Sequence, residues 1–218
     1  MKNKLLNILL YPVQLFDKLT DKRATLYAGI LLVGTIDLLL PDVAAFFKQY
    51  FSGKPVNDIY FNAVAGILLI VVLGLIDIIF VSMPLYDFFK FIKKKENAGI
   101  ASSEEKIVVI PQIATPVKIM KTYIMSHFII IPVSMVLYYI FLKDVTDSSP
   151  VWQMNVALVL YMIIYIWMAA IITRGINSLF KFNPIFRKLT FIIVFGWSYL
   201  FKMVFDMQIL YWLFKIFR

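Results

Sequence analysis

The stretch VWQMNVALVLYMIIYIWMAAIIT, residues 151–173, contains no charged side chain. Twenty-three residues of α-helix rise about 35 Å, enough to cross a hydrocarbon core about 30 Å thick. It reads as a transmembrane helix, the element that satisfies its own backbone hydrogen bonds where lipid offers none. A short polar turn, 143–150, precedes it, and the segment that follows, 174–188, holds four bases and no acid.

Working outward, further apolar runs predict spans near 122–142 and 189–213 on either side of it, and near 24–40 and 59–83 toward the N-terminus. Pro84 is expected to kink or end the second of these. The whole chain fits this solvent: 61% of its 218 residues are hydrophobic and its mean hydropathy is +0.83. Soluble domains hold about 45–50% apolar residues. The expected fold is all-α, a polytopic membrane bundle of about five helices forming one domain, 24–218. A cytoplasmic amphipathic segment, 1–23, precedes it. There Leu5, Leu9, Val13 and Phe16 recur at helical spacing opposite Asn3, Asn7, Gln14 and Asp17. Residues 84–121 are expected as a cytoplasmic loop, with 96–105 its most loop-like part and 107–120, carrying Pro111 and Pro116, interfacial or re-entrant.

Charge orients the bundle. Five Lys and Arg lie in 1–23, seven in 87–121 and four in 174–188, making 16 of the 22 on one side of the expected spans. The positive-inside rule makes that side cytoplasmic, with the C-terminus outside. The net charge of +9 then points to anionic lipid at the cytoplasmic face, because the bases flank spans instead of forming a soluble basic surface. Membrane lipids, together with a protein partner or a second copy of the chain, are the expected partners, and nucleic acid is not one.

The chain has no cysteine and a single histidine, His127. Thiol chemistry and cysteine-held metals are thereby excluded, and no metal or cofactor is expected. An intramembrane serine hydrolase built on Ser126 or Ser198 with His127 lacks the glycine-flanked turn that exposes a nucleophile. A pair of catalytic aspartates is opposed by depth: Asp37 lies 13 residues, about 20 Å, past Ala24, whereas Asp77 lies near the inner end of its span. No enzymatic activity is expected.

The residues of interest are the intramembrane polar ones: Asp37, Asp77, His127, Lys202 and Asp206. Each ion in hydrocarbon costs about 2.5–3.5 kcal/mol on insertion scales unless satisfied, so their retention signals either interhelical ties or transport. Asp77 is expected to meet His127. Lys202 is matched in depth to Asp37, with Asp206 a competitor one turn away on its own helix. Gly34-Thr35-Ile36-Asp37 and Gly74-Leu75-Ile76-Asp77 form a short internal match, and an inverted repeat is one reading of it. Gly29, Gly34, Gly66 and Gly74, with Ala63 and Ala65, permit close approach of the first two spans.

The layout resembles the Yip1-domain family. Tyr11, Pro12, Phe16 and Leu19 before the first span are similar to the proline-then-phenylalanine pattern that opens bacterial members, and Pro116 before the third span also fits. The resemblance implies five spans, a bacterial cytoplasmic membrane location, and a non-enzymatic scaffold or membrane organiser. The alternative class is a small permease or transporter subunit that uses the intramembrane charges.

Overall fold

The computed structural model describes residues 13–39, 58–101, 114–142, 145, 149–205, 208, 211, 212 and 215. Regular structure among them is entirely helical: α1 (Val13–Phe16), α2 (Arg23–Leu38), α3 (Asp58–Ala101), α4 (Pro116–Leu137), α5 (Val151–Phe180) and α6 (Pro184–Val204). A π-helical turn, Tyr138–Leu142, continues α4. Four segments are long and apolar enough to cross a membrane: Ala63–Ala98, Pro116–Phe141, Val151–Phe180 and Pro184–Val204. Their many exposed apolar side chains, among them Leu68, Phe128, Leu158 and Ile192, are what a lipid-facing surface requires. The remaining long helix, α2, has 16 residues and rises about 24 Å, short of the hydrocarbon thickness by itself.

Two expected boundaries are corrected. The second expected span does not stop at Met83: α3 runs unbroken for 44 residues with Pro84 inside it. Much of the expected loop 84–121 is therefore helix, since α3 reaches Ala101 and α4 begins at Pro116. The reason is a buried stripe that continues past the proline. Leu73, Asp77, Val81, Leu85, Phe89, Lys93 and Glu96 recur every three or four residues and face the bundle throughout. That burial outweighs the hydrogen bond the proline removes. At α4, Pro116 occupies the first turn, where no N–H is needed, and the Thr115 hydroxyl accepts from Lys118 N–H. Of the expected amphipathic segment, residues 1–12 lie outside the described residues, as do 102–113. Phe16 is fully buried, and its ring lies 3.2 Å from where a Cβ on Gly175 would sit.

The tightest helix contact is between α2 and α3. A Cβ on Gly34 would fall on the Ile70 carbonyl oxygen, and one on Gly74 on the Ile30 carbonyl oxygen. The two helices thus meet backbone to backbone, which only glycine permits. Their relative direction follows from α4. Gly29 abuts Ile124, while the neighbouring Tyr123 bonds Asp77. Gly29 and Asp77 therefore share a level, one before and the other after the crossing in sequence, so the helices run antiparallel. Of the other expected small residues, Gly66 has open space beside it.

One end of the bundle is knitted by polar contacts. The Lys121 ammonium donates to Thr20 O at 2.5 Å and Lys22 O at 2.7 Å, closing the approach to α2. Asp21 accepts from Thr115 and lies 3.8 Å from Lys118, and Asp17 accepts from Ser178 near the end of α5. On the α3 side, Lys93 donates to Glu96 at 2.8 Å and to Lys181 O at 3.2 Å, while Glu96 accepts from Asn183 N–H at 3.0 Å. The α5–α6 turn that they hold contains Lys181 at φ 50°, a left-handed conformation that ends α5.

Candidate functional site

Polar residues inside apolar helices must find partners, and the described bundle gathers several at one place. Tyr123 and His127, one turn apart on α4, present the same face to α3. The Tyr123 hydroxyl donates to Asp77 Oδ1 at 2.8 Å, and His127 Nε2 lies 3.8 Å from Asp77 Oδ2. The two rings meet edge to face with centroids 4.5 Å apart. His127 Nδ1 turns back to the Tyr123 carbonyl oxygen at 3.1 Å, and Ser126 Oγ donates to that same oxygen at 2.6 Å. Asp77 is 6% exposed and Tyr123 5%. In so dry a setting each of these contacts is worth more than in water.

Titratable residues of the other helices act on this pair of rings at longer range. Asp37 of α2, itself buried, and Tyr165 of α5 act electrostatically on the Tyr123 hydroxyl. Lys202 of α6 acts on the His127 ring, with its ammonium 5.3 Å from the Phe205 ring centroid.

Of the residues singled out in the sequence, Asp77 and His127 are brought face to face. Asp37 and Lys202 act on the α4 rings electrostatically. Asp206 lies outside the described residues. The antiparallel crossing, with Gly34 opposite Ile70 and Gly74 opposite Ile30, sets Asp37 and Asp77 on opposite sides of the contact, about 15 Å apart along the helix axes, which separates their carboxylates in depth. Ser126 is spent on the Tyr123 carbonyl, a local bond of the kind a helical serine makes to the preceding turn.

Sequence reading missed Tyr123 and Tyr165. Tyrosine in an apolar helix reads as an interfacial anchor, yet the spacing of Tyr123 four residues before His127 already placed both on one face. Lys93 and Glu96 were missed for a different reason, since charged residues after Pro84 read as a solvated loop. In the fold they are 6% and 8% exposed and form a buried pair.

No protein-family model matches the chain, and no curated protein or solved structure matches it.

Proposed function

We propose that this chain is a non-enzymatic integral membrane protein that crosses the bilayer five times and acts as a scaffold or membrane organiser. On this reading α2 belongs to the fifth span, the one expected near 24–40. The amphipathic segment before α2 lies along the cytoplasmic surface, the N-terminus is cytoplasmic and the C-terminus outside. These are the features that the Yip1-domain resemblance implies.

The observation that carries the reading is how the buried polar side chains are used. Asp77, Tyr123 and His127 engage one another across α3 and α4, and Lys93 and Glu96 engage the α5–α6 turn. They bind the chain to itself, as ties that hold a bundle in one shape for partners outside it. The exposed bases Lys22, Arg23, Lys90, Lys94, Lys95 and Lys188 border the polar-knitted end. They suit anionic headgroups there, at about 1 kcal/mol for each base near the surface. The protein partner is another membrane protein or a second copy of the chain.

Topology is tested by thiol labelling, which is clean in a chain without cysteine. A cysteine replacing Ser148 should label in intact cells, and one replacing Ser102 only after permeabilisation. The reverse pattern would overturn the orientation.

A second reading, a small permease or transporter subunit, is favoured by the titratable residues buried in the bundle, Asp37, Asp77 and Tyr123 among them. Vesicle reconstitution separates the two. A scaffold adds no solute or ion flux to that of lipid alone, and its partner copurifies in stoichiometric amount in mild detergent. A flux that disappears in Lys202→Met, with the fold retained, would replace the scaffold by a transporter.

A further inference from the structure

The hydrogen-bond geometry around His127 requires one more hydrogen than a neutral imidazole and an ionised carboxylate can supply. The Tyr123 carbonyl oxygen only accepts, so the ring nitrogen 3.1 Å from it, Nδ1, must carry a hydrogen. In the neutral ring that leaves Nε2 as a bare acceptor, and Nε2 is the atom that faces Asp77 Oδ2 at 3.8 Å. An ionised carboxylate also only accepts. Two acceptors would then confront each other in a setting with little water to separate them, which is unfavourable for both. Asp77 Oδ1, which accepts from the Tyr123 hydroxyl, is likewise only an acceptor and offers no hydrogen to Nε2.

We propose that Asp77 and His127 form a proton-binding site: with one hydrogen fixed on Nδ1, a second proton occupies the gap between Nε2 and Oδ2, held by the ring or by the carboxyl. Among the described residues, Asp37 of α2 and Tyr165 of α5 act electrostatically on the Tyr123 hydroxyl, and Lys202 of α6 on the His127 ring. Proton release would set the two lone pairs against each other across the α3–α4 contact. The ligand of this site is therefore a proton, and its occupancy is coupled to the grip of α3 on α4.

The inference rests on the membrane-spanning reading only for the dryness of the site, and its test is indifferent to topology, partner and flux. The full chain, reconstituted in lipid vesicles at neutral pH, is labelled with ¹⁵N in its one histidine and ¹³C in its aspartate carboxyls. Asp77 is assigned by the signal missing from Asp77→Asn. The expected result is one proton on the facing pair: either a ring protonated at both nitrogens beside an ionised Asp77, or an Nδ1–H ring beside a carboxylic acid. A neutral ring beside an ionised Asp77 would mean that a bridging water fills the gap, and would overturn the proposal. So would the Nε2–H tautomer, or a doubly protonated ring beside a protonated Asp77. In Asp77→Asn the side-chain amide can donate to Nε2 without an added proton, so the ring should become, or stay, neutral with hydrogen on Nδ1. A ring that remains cationic in that variant also overturns it. If the variant fails to fold, pairwise ¹⁵N–¹³C distances assign Asp77 in the native chain and the first measurement decides alone.

Discussion

Gly34→Ala and Gly74→Ala should each destabilise the bundle by about 3 kcal/mol, the upper part of the range for overpacking a close contact. In each case the added methyl meets backbone. A Cβ on Gly34 lands on Ile70 O, which accepts the Gly74 N–H within α3, and a Cβ on Gly74 lands on Ile30 O, which stands in the same relation to Gly34. No rotamer change relieves such a clash, so α2 and α3 must move apart and open the buried contacts beside the crossing, at Val33 and Leu73. Two controls isolate the cause. At Gly29 the obstacle is the Ile124 side chain and not backbone, so Gly29→Ala should cost less, though not nothing, because the branched Ile124 must shift. At Gly66 nothing lies within 4 Å, and alanine should be neutral or stabilising by up to about 1 kcal/mol through helix propensity. Because the first methyl already separates the helices, the double variant should fall short of the sum of the single effects. Equilibrium unfolding in detergent measures all five, and a Gly34→Ala variant within about 0.5 kcal/mol of the parent would show that the crossing tolerates a methyl.

The crossing also shows how much of the fold the sequence disclosed. The matched Gly-x-x-Asp patterns of the first two apolar runs, and the small residues around them, pointed to close approach, because in lipid small side chains are what let backbones meet. Which glycines meet was not legible: Gly34 and Gly74 face each other, Gly29 faces α4 and Gly66 faces open space. That choice depends on the rotation of each helix about its axis, and a helix apolar on all sides carries little rotational signal. Asp77 and His127 were legible for the opposite reason. An isolated polar group in an apolar helix is costly, so the few present are expected to find one another. Tyr123 was hidden, since its ring is counted with the hydrophobic residues while its hydroxyl donates to Asp77.

The helix beyond Pro84 was hidden because two sound local rules misled together. Proline inside a helix usually breaks it, and a run containing Lys93, Lys94, Lys95 and Glu96 usually marks solvent. Both gave way to the spacing of Val81, Leu85 and Phe89, which continues on one face through Lys93 to Glu96. The periodicity was present in the sequence, but its last two members were charged, and a charged residue enters a buried stripe only when its partner is known. The partners here, Lys181 O and Asn183 N–H, lie more than 80 residues away.

That remote pairing predicts the second large effect: Glu96→Ala should destabilise the bundle by about 3–5 kcal/mol, the scale for stripping one partner from a buried ion pair. Three losses coincide. The Lys93 ammonium, 6% exposed, loses its 2.8 Å carboxylate partner and, among the described residues, keeps Lys181 O at 3.2 Å and the Phe182 ring at 5.8 Å. The Asn183 N–H at the start of α6 loses its acceptor, and the positive end of the α6 dipole loses a carboxylate. The separate contributions can be read from a short series. Glu96→Gln keeps an oxygen for Asn183 but removes the charge, and should lie between the parent and alanine. Lys93→Met removes the stranded cation while filling similar space, so Lys93→Met/Glu96→Gln should recover much of the loss. If the pair is what fastens the end of α3 to the α5–α6 turn, protease sensitivity near Ala101 should rise with each destabilising variant and fall again in the double. Strictly additive effects of the Lys93 and Glu96 substitutions in a double-mutant cycle would show that the two residues do not act as a pair.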